Sequence, residues 1–453
     1  MNNKEIQIQV ERLNHFYQRI GKMVITDSRP LQAQFFHCKD PVPFNHREQG
    51  NYQSIKTGDS WGKSWESAWF HLKGVVPENW QGKKIAARLD FSGEGLVFDA
   101  DGNALQGITN GSIFNPDFAR TIVPLMAKAR GDESVELWVE AAANSLFGVY
   151  TNTDPEPDDP KRYGHFDAKV DCMDLVVVDE EMWHYHLDLR VLKGLIKRMP
   201  EDSVRRARLI RCANDSMNTF AGIKYNISAA RDILNNELKK PASASQLTVS
   251  AIGHAHIDTA WLWPIRETIR KCARTFSTQL SIIKKYPQYI FGASQPQHYQ
   301  FIKEHYPKIY DDIQQAVQLG QWEVQGAMWV EADCNLISGE SMIRQIIHGK
   351  NFFMDEFGID VKNLWLPDVF GYSAAMPQIL KKSGVEFFLT QKMSWSQFNE
   401  FPYHTFNWKG IDGSEVITHF PPENTYNSEL DPEFLIPAEK NFKEKTFNVW
   451  RFI

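Results

Sequence analysis

Several things are scarce in this chain of 453 residues, and each scarcity narrows its function. Cysteine is the first: the five present (Cys38, Cys172, Cys212, Cys272, Cys334) are odd in number and scattered, with no CxxC pair. That pattern excludes a disulfide frame or a thiolate metal clip and predicts reduced thiols in a cytoplasmic protein. No apolar run approaches the ~18 residues of a membrane span. The opening MNNKEIQIQVERLNHF lacks the apolar core of a signal peptide, so neither a membrane partner nor export is expected. Basic charge is not in excess: 50 Lys and Arg stand against 56 Asp and Glu, for a net charge of −6. A nucleic-acid partner, which needs a basic face, is therefore not expected. There is no GxGxxG or GxxxxGK[ST] loop, which argues against a dinucleotide or nucleotide enzyme.

What is present is core material. Hydrophobic residues make up 42% and aromatics 13%, which excludes disorder as the main state. At about 150 residues per domain the length predicts roughly two to four domains. The 14 tryptophans fit either core packing or sugar stacking.

The hydrophobic pattern divides the chain. Ile6, Val10, Leu13, Tyr17 and Ile20 form the stripe of an amphipathic helix. From Trp65 to Leu146 short alternating runs follow, with Ile85, Ala87, Leu89 and Phe91 on one face of one run and Val135, Leu137 and Val139 on one face of another, Glu136 and Glu140 lying opposite. Turn signals such as DADGN (99–103) separate them, predicting an antiparallel sandwich and making a hairpin turn, rather than a calcium loop, the reading of Asp99 and Asp101. Residues 151–167 read as a solvated acidic loop, 181–239 as helical, and KKPASASQ (239–246) as a linker. The expected organisation is a β-sandwich domain with its leading helix at 1–180, a helical connector and linker at 181–246, and an α/β domain at 247–453. In the last, six strand-like runs (247–256, 289–296, 322–331, 363–369, 386–392, 415–420) alternate with helical patterns. This predicts a parallel sheet covered by helices, either open or closed into a barrel.

Sites on such sheets form at the C-terminal strand ends. His254, His256 and Asp258 end the first run, Gln295 the second, Asp368 the fourth, Lys392 the fifth and His419 the sixth, while Glu331 and Asp333 follow the third. Strand alternation points His254, His256 and Asp258 the same way, a donor set suited to zinc; hydrogen-bonded histidines at a strand end are the alternative. Asp368, at a strand-to-loop turn, suits a nucleophile, a base or a ligand, although local sequence by itself favours an Asx turn or a cap for the next helix. Glu331, Asp333 and Asn335 alternate and suit sugar hydroxyls, or a polar loop capped by Ser338. For Lys392 the choice is between neutralising a nearby carboxylate and lying in solvent. Trp261 and Trp263 suit a stacking wall or core packing.

Four segments, HAHIDTAWLWP, WEVQGAMWVEADCNLISGESMIRQ, LWLPDVFGYSAAMPQIL and NWKGIDGSEVITHFPPENTY, together resemble the catalytic domain of class II α-mannosidases, glycoside hydrolase family 38. The resemblance covers 247 to about 443, and the region before it looks like the sandwich and helical segment of the family's cytosolic and bacterial branch. It implies a retaining, exo-acting α-mannosidase with one Zn2+, acting on terminal α-mannosyl residues of mannose-containing oligosaccharides. His256, Asp258 and Asp368 would be metal ligands, with Asp368 also the nucleophile. Trp261 would lie next to the bound sugar and His254 would be a neighbour of the site; Glu331 and Asp333 are kept as substrate-binding candidates from their position alone.

The family's fourth zinc ligand, a histidine, and its acid/base aspartate have no matching motif here. The ending TFNVWRFI reads as a truncation or a shifted frame, so the catalytic domain is expected to be incomplete and the chain's own activity reduced. Two alternatives remain at this stage, a zinc amidohydrolase and a non-catalytic carbohydrate-binding fragment, and a homo-oligomer is left open.

Overall fold

A computed structural model describes residues 3–111, 118–144, 167–241, 248–425 and 427–445. The loop 151–167, the linker 239–246 and the ending TFNVWRFI lie wholly or largely outside these residues.

The chain opens with helix α1 (Asn3–Met23). Among the described residues twelve strands follow: β1 (Ile25–Pro30), β2 (Gln32–Cys38), β3 (Gln53–Ile55), β4 (Ser60–Lys63), β5 (Ser67–Val75), β6 (Ile85–Asp90), β7 (Glu94–Asp99), β8 (Ala104–Thr109), β9 (Ile122–Met126), β10 (Ser134–Ala142), β11 (Asp167–Lys169) and β12 (Cys172–Val178). They form an antiparallel sandwich of a four-stranded sheet, β1-β12-β6-β9, and a six-stranded sheet, β3-β2-β5-β10-β7-β8, with β11 paired to β4 beside them. The alternation is as the sequence predicts. Ile85, Ala87, Leu89, Phe91, Val135, Leu137 and Val139 all enter the core between the sheets. DADGN is the β7–β8 hairpin, where Asp99 accepts the Asn103 N–H at 2.8 Å and Gly102 takes φ +78°.

Helices α2 (Glu180–Arg198), α3 (Val204–Phe220) and α4 (Ile227–Leu238) come next. The leading helix belongs with these and not with the sandwich, because Leu13, Phe16 and Ile20 share a core with Tyr185, Leu189 and Phe220.

The α/β part alternates β13 (Gly253–His254), α5 (Ile265–Lys285), β14 (Phe291–Ala293), α6 (Pro296–His305), α7 (Pro307–Gln318), β15 (Trp322–Val324), α8 (Gly339–Phe357), β16 (Asn363–Trp365), α9 (Met376–Lys382), β17 (Phe387–Leu389), β18 (Thr405–Lys409), β19 (Glu415–His419) and α10 (Pro432–Asn441). All six expected strands are there, each shorter than its apolar run. They form two sheets, β13-β14-β15 and β16-β17-β19-β18, in place of one. The chain just after β15 joins them, Gly326 and Ala327 donating to the side chain and carbonyl of Asn363 at 3.1 and 3.0 Å. All ladders are parallel except β18–β19, an antiparallel pair the strand reading omits. One core runs from Trp69, Phe98 and Trp138 on the sandwich through Phe276 on α5 to Trp322 and Leu364, so the six-stranded sheet packs directly on the α/β part.

Candidate metal centre

His256 and Asp258 lie beyond the end of β13, in coil, so strand alternation is not what brings them together. Two braces do. Gln295, buried and held at φ +66°, donates from Nε2 to the Ile257 carbonyl at 2.9 Å and to Glu331 Oε1 at 3.2 Å, while its Oε1 accepts from Thr259 at 3.1 Å and from the Glu331 N–H at 3.2 Å. A non-glycine residue in that backbone region costs on the order of 1–3 kcal/mol and persists only where its surroundings fix it. The second brace is Thr268 on α5. Its hydroxyl accepts from the Ala260 N–H at 2.9 Å and Trp263 Nε1 at 3.1 Å, and donates to the Asp258 carbonyl at 3.2 Å.

Asp368 reaches the same place from beyond β16. Tyr372 steadies its loop, with its hydroxyl 2.9 Å from the Val369 carbonyl and 2.6 Å from Thr390 Oγ1. His256, Asp258 and Asp368 each bring one donor atom within 4.8 Å of the others, the one such group of three among the described residues. His256 Nε2 faces Asp258 Oδ1 at 3.4 Å and Asp368 Oδ2 at 3.6 Å, while its Nδ1 is turned to Glu331 Oε2 at 3.3 Å.

This is the arrangement of a ligating histidine: one ring nitrogen toward the hard oxygens, the other held by a carboxylate that fixes the ring. The electrostatics agree. Burial opposes charging of His256, but the Glu331 and Asp258 carboxylates outweigh it and push its pKa up to about 10. A position that so favours positive charge suits a divalent cation, and one imidazole with two carboxylates suits zinc. The residues present therefore fit the ion.

The other expected residues are placed as follows. Glu331 is buried beside His256, facing its Nδ1 on the side away from Asp258 and Asp368; burial raises its pKa, against the pull of His256. Asp333 makes a turn, its Oδ1 accepting from the N–H groups of Asn335 and Leu336 at 2.8 and 2.7 Å. Trp261 is half exposed beside the cluster loop, edge-on to Trp263 with ring centres 5.6 Å apart. His254 packs on Trp365, ring centres 5.1 Å apart; burial first, then the charge of His256, depresses its pKa to about 3. It does not join the donor group. His419 is hydrogen-bonded to Thr405 at 2.7 Å, so neither histidine supplies the second imidazole that an amidohydrolase would need.

Lys392 is buried and its ammonium lies 2.5 Å from Asp368 Oδ1, with the ring centres of Trp395 at 3.3 Å and Phe370 at 4.5 Å. Gln295, Thr268 and Tyr372 carry no signal in the sequence beyond standing near strand ends or opening a helix.

Residues 246–449 match the family model described as glycosyl hydrolases family 38 N-terminal domain, and residues 29–169 the one described as alpha-mannosidase, jelly roll domain. The chain is 37% identical over 427 residues to Alpha-mannosidase G of Dictyostelium discoideum, covering 94% of this chain and 38% of that protein. It is 36% identical over 449 residues to Alpha-mannosidase 2C1 of Homo sapiens, covering 96% and 42%. It is 31% identical over 439 residues to Alpha-mannosidase of Saccharomyces cerevisiae, covering 91% and 38%. The chain thus spans about two fifths of the length of these relatives. Both parts are matched in order: the chain carries a glycosyl hydrolases family 38 N-terminal domain preceded by an alpha-mannosidase jelly roll domain.

Proposed function

We propose that the chain carries the nucleophile and most of the metal site of a retaining, zinc-dependent α-mannosidase that acts on terminal α-mannosyl residues of mannose-containing oligosaccharides in the cytoplasm. The observation that carries this is the meeting of His256, Asp258 and Asp368 within 4.8 Å, from loops on two different sheets. The names of the relatives point to the same substrate class, and five free thiols suit a reducing compartment. The strand order is read as an arc of a β/α barrel whose mouth holds the cluster.

His256, Asp258 and Asp368 would hold the ion, which when bound supplies a template for vicinal sugar hydroxyls and a positive charge at the reacting centre. The chain's own residues do the rest. Asp368 attacks C1 as the bond from C1 to the leaving oxygen breaks, giving a glycosyl ester through an oxocarbenium-like state. Lys392 pairs with that carboxylate from the Oδ1 side, leaving Oδ2 toward His256. Glu331 fixes the ring of His256, and Trp261 offers a face to the sugar.

The test is to expose the full chain, with zinc, to a fluorinated α-mannosyl donor bearing an activated leaving group. Such a donor departs without a general acid, so the first step is read directly. Peptide mass spectrometry should find the label on Asp368, and Asp368→Ala should abolish it. A label on any other residue, or undiminished labelling of the variant, would refute the assignment.

A further inference from the structure

Between the sandwich and the α/β part lies a closed set of charges. On the sandwich side stand Glu94, Glu140 and Asn144; on α5 stand Glu267, Arg270, Lys271 and Arg274. Arg270 binds Glu140 Oε1 at 2.9 Å, Glu267 Oε1 at 2.8 Å, Ser67 Oγ at 2.8 Å and the Ala141 carbonyl at 2.8 Å. Lys271 and Arg274 bind Glu94 Oε2 at 2.6 and 3.0 Å. The Asn144 amide bridges Glu94 and Glu267, at 3.0 Å to each. Three carboxylates meet three cations, and Glu267, Arg270, Arg274 and Glu140 are all at most 6% exposed.

A buried ionic set is poor at adding stability over an apolar joint, because desolvation consumes much of the attraction. What it does supply is a defined geometry, since it ties α5 to the sandwich at several separate points, Arg270 to Glu140, Ser67 and Ala141, and Lys271 and Arg274 to Glu94. The helix it fixes is the one that begins just after the cluster loop. Thr268, between Glu267 and Arg270, carries the hydrogen bonds to Asp258, Ala260 and Trp263. The sandwich therefore reaches the metal loop through one turn of α5. The backbone contact is equally close: a Cβ on Gly107 of β8 would lie 2.7 Å from the Arg274 carbonyl oxygen.

We propose that the β-sandwich is a positioning element for the metal centre, with Glu140, Asn144, Glu267 and Arg270 as positioning residues that hold the 257–263 loop in its binding geometry. The proposal rests on the reading of His256, Asp258 and Asp368 as a metal site, and its test separates the two. In the full chain, Glu140→Gln and the milder Asn144→Ala are compared with the parent by calorimetric titration with zinc alone and by amide hydrogen exchange. Glu140→Gln should weaken zinc binding at least tenfold and speed exchange across 257–263 at least tenfold, with α8 unchanged; Asn144→Ala should do the same about threefold. Parent-like affinity and exchange in either folded variant, even one that melts earlier, would overturn the proposal and leave the network a structural joint. If Glu140→Gln does not fold, Asn144→Ala decides. If the parent binds no zinc, the metal reading fails while the exchange comparison still decides the positioning role.

Discussion

Asp368 divides its two oxygens between different neighbours: Oδ1 takes the ammonium of Lys392, and Oδ2 faces His256. Removing the ammonium strands a largely buried carboxylate, so Lys392→Met is expected to cost about 3–5 kcal/mol of stability, the usual result of breaking a buried pair from one side. Lys392→Arg, which keeps the charge, is expected to cost less. Urea unfolding measures both, and a Lys392→Met chain as stable as the parent would contradict the pairing. Local sequence does not reveal this lysine's role, because its partner Asp368 and the ring of Phe370 reach it from the loop after β16, while only Trp395 comes from its own short 3-10 turn. The HxHxD spacing is legible in the sequence, but for an incomplete reason: His256 and Asp258 sit past the strand, where Gln295 and Thr268 set their direction. Glu331 and Asp333 likewise lie past the end of their strand. Alternation holds only while the chain is a strand, and β15 ends at Val324.

At the scale of elements, helices were easier to read than strands. Both ends of α8 are written in the chain: Ser338 caps it, accepting the Ser341 N–H at 3.1 Å, and Gly358 ends it at φ +70°. The parallel strands make ladders of only two or three residues, whereas the apolar runs that mark them extend beyond the strands. The omitted strand β18 did have a signal, the IDGS turn before β19, where Gly413 takes φ +89° and Asp412 accepts the Ser414 N–H at 3.0 Å. Helix α8 also lies unusually close to the chain beyond β15. A Cβ on Gly349 would stand 2.1 Å from the Ala327 carbonyl oxygen, a backbone atom that cannot step aside. Gly349→Ala is therefore expected to destabilise the chain by about 1–3 kcal/mol despite its better helix propensity. A neutral or stabilising change on denaturant unfolding would show that the approach is looser.

At the scale of the whole molecule the sequence misled in one instructive way. Glu140 sits opposite the apolar face of β10, and alternation assigns that face to solvent. It is covered instead by α5, so a face that reads as surface is an internal joint. The joint should respond to acid. Burial alone would raise the pKa of Glu94, but Arg274 and Lys271 overcome it and hold it at about 2, below the ordinary 4.5. A carboxylate depressed by folding contributes stability above its unfolded pKa and loses it as pH falls through its folded one. The stability gap between parent and Glu94→Gln is thus expected to reach up to about 3 kcal/mol near neutrality and to close between about pH 5 and pH 2. A gap unchanged by acid would contradict that assignment.

No helix among the described residues is long and apolar enough to cross a membrane, and all five cysteines are free. The proposed function rests on one cation finding His256, Asp258 and Asp368 together. The most direct measurement is anomalous diffraction at the zinc edge from crystals of the chain grown with zinc. The account predicts one strong peak about 2.0–2.2 Å from His256 Nε2 and from an oxygen each of Asp258 and Asp368. A zinc-bearing crystal with no peak there, and with the Asp368 carboxylate turned away from His256, would contradict it.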